Sequence, residues 1–546
     1  MSPLEVVLIL LLAVVVSGFV ARSLPLPLPL PLVQIAFGAF LAAVADLGVR
    51  LDPELFFLLF LPPLLFYDGW RIPKDGLLRD KGTILAMAFG LVVFTVLGVG
   101  LLIHWMIPGM PLAVAFALAA VISPTDPVAV QAIAARMPVP KRFMRVLEGE
   151  ALLNDASGLV CLRFAVVAML TGAFSLPEAM LTFLWLSAGG LAIGVAVTWA
   201  AGLAKDWMSR RYGEDTGAQI LISLLIPFGA YMLADRLGCS GVLAAVAAGV
   251  TMSYVEQRGG ILALTRVRRS AVWEMIQFGL SGIIFILLGE QLPRIASGAA
   301  QVVRETGHAE IAWLAVYVVT INVAVMALRF VWVGALLRFT LRRPTPGGSD
   351  RFVPGWRAIA AMALAGVRGT VTLAGVLALP LFLSDGRAFP ARDLAIFLAA
   401  GVIIASLVIA SLLLPYLLRD LHFPPEPGEE AAEDRARLAA GQAALTAIAR
   451  AQRDAANGMK DPDVYADAAT RVMATYRQRI DALSKTGSER DMARRIDAYE
   501  KTLRLAGLRA ERARFYQLAR MGEISDEAAR RLVREVDLIE ARLRGA

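Results

Sequence analysis

The sequence predicts an all-α polytopic membrane protein with about thirteen transmembrane helices and a helical cytoplasmic C-terminal tail. Three observations carry this. Of the 546 residues, 58% are hydrophobic and only 18% are charged, whereas a soluble domain is roughly 45–50% apolar with about 25% charged residues. Apolar runs of about 20 residues, each long enough to cross a bilayer, recur along most of the length. At "FPPEPGEE" the composition then changes abruptly to Ala, Arg, Asp and Glu.

The expected spans are 4–20, 31–46, 54–68, 83–105, 112–134, 146–172, 177–204, 217–235, 240–255, 271–291, 310–337, 357–383 and 393–418. The first, "LEVVLILLLAVVVSGFV", has no basic leader and no convincing cleavage site, so it is read as a span rather than a signal peptide. The "LPLPLPLPL" that follows cannot continue a helix and is expected to run extended. Span 271–291 is the least uniform, being bracketed by Glu274 and Glu290. Loops after the odd-numbered spans hold about 21 Lys and Arg and those after the even-numbered spans about 6, which puts the former in the cytoplasm. The N-terminus is then outside and everything past residue 419 inside. The net charge of +8 is orientation charge on this reading, not a nucleic-acid signal. Cys161 and Cys239 lie in or near apolar spans and imply no disulfide framework. Two domains follow: 1–420 in the membrane and 421–546 as a tail with 23 basic and 21 acidic residues interleaved at helical spacing. Such a tail reads as solvated helices, with pairing to a second copy as an option.

Chemistry concentrates in three stretches. In "AAVISPTDPVAV", Asp126 stands between Pro124 and Pro127 inside an apolar run. A charge at membrane depth is costly and marks function. Prolines there break the helix, and broken backbone survives in a membrane only where protein or a wet cavity satisfies it. Capping of a half-helix is the plainer role for this Asp. In "EGEALLNDASGLV", Glu150 and Asn154 share a helix face, whereas Asp155, five residues from Glu150, points about 140° away. Glu150 is expected to meet a partner in the bundle and Asp155 to face a cavity, with Glu148 near the solvated end. In "LAGVRGTVTLAG", Arg368 lies between Gly366 and Gly369 and needs a counter-ion, for which an acid from span six is the natural candidate. The two interrupted spans run in opposite directions, one in each half, as inverted repeats require. Arg163 has no evident partner, Asp68 lies near the inner end of span three, and the three His residues show no metal-ligand spacing.

Together "ISPTDPVAV", "EGEALLNDASGLV" and "GVRGTVTLAG" resemble the sodium/proton antiporters of the NhaP and NHE type, the monovalent cation:proton antiporter-1 family, over roughly residues 1–420. The resemblance implies thirteen helices, a homodimer, and broken helices that cross beside Asp126 and the Thr125 carbonyl. It makes Asn154 and Asp155 the "ND" pair, with Asp155 carrying cation and proton in turn, and it pairs Glu150 with Arg368. The ion ligands for Na⁺ or K⁺ are then Asp155, Asp126 and Thr125. Where relatives often read "GESLLND", this chain has Ala151 at the serine. Where some read "LLFEAG", Tyr67 takes the glutamate's position with Asp68 next to it, so both are further candidates.

The implied function is electroneutral antiport of Na⁺ for H⁺ in the bacterial inner membrane, with no cofactor beyond the transported ions and no catalytic residue. Partners are monovalent cations, protons, the lipid bilayer and a second copy. A carboxylate in a dehydrated pocket holds its proton to higher pH than in water, which suits exchange near neutrality. K⁺/H⁺ exchange by the same residues is the alternative. A membrane sensor signalling through the tail lacks an output motif, and an intramembrane enzyme lacks a plausible His, Ser or metal set.

Overall fold

A computed structural model describes residues 2–24, 28–44, 53–72, 74, 80–128, 130–131, 139, 141–171, 176–257, 263–305, 312–341, 355–383, 386–419, 429–456, 462–484 and 488–544. Every regular element among them is a helix. The chain divides into two compact units, Met1–His422 and Phe423–Ala546.

The first unit contains α1 (Pro3–Ser23), α2 (Leu30–Val44), α3 (Pro53–Arg71), α4 (Lys81–Met106), α5 (Leu112–Ile122), α6 (Lys141–Thr171) and α7 (Leu176–Tyr212). After these come α8 (Thr216–Arg236), α9 (Gly241–Gln257), α10 (Ala263–Glu305), α11 (Ala312–Leu341), α12 (Trp356–Leu364), α13 (Thr370–Leu377) and α14 (Arg392–Leu418). Among the described residues eight helices are long and apolar enough to cross a membrane by length and composition, and α2, α5 and α9 are shorter apolar helices. The expected spans fall on these helices with two exceptions: 112–134 is helical as α5 only to Ile122 and then breaks, with 129 and 132–134 outside the described residues, and 357–383 is the broken pair α12–α13. The "LPLPLPLPL" stretch differs from expectation at its end, since Leu30, Pro31 and Leu32 already belong to α2. Proline at the start of a helix costs no hydrogen bond, because the first N–H groups have no intrahelical partner. Its residues 25–27 lie outside the described residues, as do 423–428 of "FPPEPGEE".

The helices form two bundles whose order repeats. In the first half, α1–α4 are followed by a helix that breaks at Ser123–Asp126 and by α6; in the second, α8–α11 are followed by the broken α12–α13 and by α14, with α7 joining the halves. Under this correspondence α2 matches α9 and α3 matches α10. The contacts obey it, because α2 packs on α10 and α3 on α9. Both crossings are glycine-lined. A Cβ on Gly38 or Gly289 would strike the backbone of the other helix, and so would one on Gly69 or Gly249. Small residues let membrane helices approach backbone to backbone, where van der Waals packing replaces the hydrophobic drive that lipid cannot supply. Against this bundle lies a second one of α4–α6 and α11–α14, which carries the buried charges of the next section.

The second unit consists of α15 (Glu429–Ala456), α16 (Pro462–Ser484), α17 (Ser488–Arg520) and α18 (Asp526–Arg544). α15 packs on α16 and α17 on α18. α18 buries Ala529, Val533 and Val536 at the 3–4 spacing of one helix face. Glu540 continues that face and is held by Arg512 and by Arg544, whose Nη2 is 2.6 Å from it. The Arg512 hydrogen bond holds the Glu540 carboxyl below the usual carboxylate range.

Candidate functional site

The chain between α5 and the next helical turn is irregular at Ser123–Asp126, and the chain between α12 and α13 at Gly366–Gly369. The two breaks touch: the Asp126 N–H donates to the Val367 carbonyl at 2.7 Å. Pro124 and Pro127 lack the donors that would close a continuous helix through the first break. At the second break, Gly369 is the N-cap of α13 and offers no side-chain acceptor to the helix's free N–H groups.

Asp126 supplies what both following helices lack. Its Oδ1 accepts from the Val128 N–H at 2.9 Å, and its Oδ2 accepts from the Thr370 N–H at 3.3 Å. One carboxylate thus caps two helix starts, where partial positive charge gathers. Gly369 is required for this, since a Cβ there would collide with the Asp126 carboxylate.

Arg368 is the complement. Its Nε donates to the carbonyl of Ile122, the last residue of α5, at 2.8 Å, and its Nη1 donates to the Gly366 carbonyl just past α12. Its own N–H donates to Ser406 Oγ on α14 at 3.2 Å. A guanidinium therefore closes two helix ends, where partial negative charge gathers. This corrects the expected Glu150–Arg368 pair. Glu150 is held instead by Arg329 of α11: Nη1 meets Oε1, and Nη2 meets Oε2 at 2.7 Å. Arg329 also donates from Nε to the Met362 carbonyl of α12 at 3.1 Å, and Gly366 leaves the room it occupies. All three side chains are buried. The physical reason is demand: Arg368 is directed to the Ile122 and Gly366 carbonyls that the two breaks leave open, and the forked geometry of Arg329 matches a carboxylate directly. An arginine in the run "MALRFVWVG" of span 310–337 was the available signal for Arg329, and sequence reasoning missed it.

A cleft of ≈ 70 Å³ runs from the breaks along residues 148–155 of α6 to the C-terminal end of α3. Asp68, Thr125, Asp126, Glu148 and Asp155 line it, with Arg71, Gln131, Ala151, Gln277 and Thr370. Among these lining residues four carboxylates face one guanidinium. Glu148, expected at the solvated end of its helix, accepts from Gln131 Nε2 at 3.0 Å. Asp68 accepts a long hydrogen bond from Gln277 Nε2 at 3.5 Å. Among the described residues no three His, Cys, Asp or Glu converge as a metal-holding group.

The remaining candidates divide around the cleft wall. Glu150 and Asn154 are buried behind it, where the Thr125 hydroxyl donates to Glu150 Oε1 at 3.3 Å and accepts from Asn154 Nδ2 at 2.9 Å. Asn154 thus holds Thr125 rather than lining the cleft. Tyr67 also lies away from the cleft, stacked on Trp273 with ring centroids 5.9 Å apart. One position along α3 separates it from Asp68, and on a helix that is a turn of about 100°. Arg163 is exposed.

The family description "Sodium/hydrogen exchanger, transmembrane" matches residues 7–420. A protein of Escherichia coli K12 described as "Uncharacterized Na(+)/H(+) exchanger YjcE" is 41% identical over 98% of each chain. A Bacillus subtilis protein named sodium, potassium, lithium and rubidium/H⁺ antiporter is 37% identical over 96% of this chain and 76% of its own length. The structure of the sodium proton antiporter MjNhaP1 from Methanocaldococcus jannaschii superposes with a TM-score of 0.56, covering 77% of this chain and 99% of that one at 16% identity, a likeness of fold.

Proposed function

The chain belongs to the sodium/hydrogen exchanger family, and from that premise we propose that it exchanges Na⁺ for H⁺ one for one, with the two ions competing for Asp155. It is a transporter and not an enzyme. The observation that carries the reading is the cleft itself, where Asp68, Asp126, Glu148 and Asp155 face Arg71 alone among the charged lining residues. A narrow passage lined by one sign of charge raises the local concentration of the opposite sign.

Asp155 is the natural exchange group. Asp126 is engaged by two backbone N–H groups, whereas the Asp155 carboxylate lines the cleft and can take a cation or a proton. Asp126 and the Thr125 carbonyl complete the cation's ligands. With Asn rather than Asp at 154, one carboxylate charge is neutralised per turnover by either ion, which makes the exchange electroneutral. The cleft reaches Arg71 and Ile72 at the end of α3 that the Lys and Arg distribution assigns to the cytoplasm, so we read this conformation as inward-open. The N-terminus lies outside, the tail lies in the cytoplasm, and the protein works as a homodimer in the bacterial inner membrane. Exchange of K⁺ at the same residues is the second reading, favoured by the similarity to the Bacillus subtilis sodium, potassium, lithium and rubidium/H⁺ antiporter.

The test is a vesicle that reports internal pH after addition of Na⁺, K⁺ or Li⁺. Asp155→Asn should abolish the cation-driven pH change while leaving the melting temperature unaltered, because an amide neither binds nor releases a proton. Wild-type exchange by this variant would sink the assignment. An imposed membrane potential that changes the rate would overturn the one-for-one stoichiometry.

A further inference from the structure

α17 is longer than the helix that covers it. Arg512 meets Asp537 and Glu540 of α18, and α18 ends four residues past Glu540, at Arg544. In an antiparallel pair that end falls beside Leu508, which is buried. The part of α17 before about residue 507 therefore projects beyond α18 by some 18 residues, or about 27 Å at 1.5 Å per residue. Along this projection Met492, Ile496, Tyr499 and Leu503 are 57%, 57%, 69% and 72% exposed. Their spacing is 4, 3, 4, the alternation of a coiled-coil seam, and it continues through Ala506 and Ala510. The stripe lies on a different face from Leu508, so it is not the surface that α18 covers. An apolar seam of this length on a solvated helix calls for a partner.

We propose that this seam docks the same segment of a second copy of the chain, as a parallel two-stranded coiled coil. With Ile496 and Leu503 at a positions and Met492 and Tyr499 at d positions, Arg495 falls at g and Glu500 at e. A parallel pair then sets Arg495 of each copy beside Glu500 of the other, the register that e/g charges select. In the single chain Glu500 pairs with Arg504 one turn on, at an outer b position, and Arg495 of the second copy takes the carboxylate over from that exposed pair. β-Branched Ile at an a position favours two strands. A membrane surface is a poorer occupant: helices that lie on lipid carry a basic polar face, whereas this segment interleaves Arg and Lys with Asp and Glu in near balance. The paired seam would tie together the tails of two transport units, an interface beyond those needed for exchange.

Oxidative cross-linking of the full chain in vesicles, with Cys161 and Cys239 replaced by Ala, tests this. Tyr499→Cys on the seam should form a disulfide-linked dimer at least about tenfold faster than Asp497→Cys, which occupies an outer b position. Leu503→Cys repeats the measurement if Tyr499 proves sensitive to substitution. Equal rates at seam and outer positions would mean mere tethering through the membrane unit, and no dimer from either seam cysteine would mean that something else covers the seam. Both outcomes overturn the proposal. Adding Arg495→Glu to Tyr499→Cys should slow the reaction, and further adding Glu500→Arg should restore it. Failure of that restoration overturns the parallel register.

Discussion

The two helix breaks share a topology and differ in sign. At the first, a carboxylate faces a cleft; at the second, a guanidinium is sealed in the bundle. Asp126 takes the N-terminal ends of two helices and Arg368 the C-terminal ends of two others. Each therefore compensates the end charge that two half-helices expose at once, and neither needs the other's side chain. A cation site requires the anionic member to be reachable and the cationic member to be spent. The difference teaches that repeat symmetry supplies the crossing, while solvent access and charge make the first break the one suited to a cation. Arg329 and Glu150 then join the two sides, because Glu150 contacts Thr125 at the first break and Arg329 contacts Met362 at the second.

The largest effect expected from breaking this arrangement is at that joint. Arg329→Ala leaves Glu150 as an uncompensated buried charge, which costs about 3–5 kcal/mol. Thermal unfolding should fall sharply, and adding Glu150→Ala should recover part of the loss. In a double-mutant cycle the coupling of Glu150 to Arg329 should exceed its coupling to Arg368; the reverse order would restore the pairing expected from sequence.

Arg368→Ala comes next. It strips a charged donor from the Ile122 and Gly366 carbonyls, and with hydrogen bonds to charged groups contributing about 1.5–3 kcal/mol each, a loss of about 3 kcal/mol is expected. Arg368→Lys should recover only a part, since an ammonium cannot reproduce the guanidinium's fixed fork. Full recovery in a melting experiment would show that charge alone matters at the second break.

Gly369→Ala should destabilise by about 1–3 kcal/mol, the usual range for forced overpacking. It should also weaken cation affinity, because the new methyl displaces the Asp126 carboxylate. Unchanged affinity in the vesicle assay would mean that the carboxylate's placement is immaterial to the ion.

Asp126→Asn is expected to cost least in stability, about 1 kcal/mol, since the amide oxygen still accepts one backbone N–H. Its effect on apparent Na⁺ affinity should be far larger than its effect on melting. A variant that melts much lower yet exchanges with unaltered affinity would make Asp126 a structural cap only.

The amino-acid order by itself determined a good deal. Apolar runs of membrane length are a local property, so the helices could be read off one by one, and Pro124, Pro127, Gly366 and Gly369 marked where two of them must break. Helical spacing separated Glu150 from Asp155 because five residues along a helix turn a side chain to another face. The partner of Glu150 was settled only by tertiary structure. Arg329 lies 179 residues away in sequence, and no periodicity distinguishes it from Arg368 as a counter-ion. The same holds for Asp68 and Tyr67, neighbours on α3 of which one lines the cleft and the other stacks on Trp273. Composition is set residue by residue, whereas a choice between two equivalent charges depends on which carbonyls the folded backbone leaves open. That demand arises only once the helices have crossed.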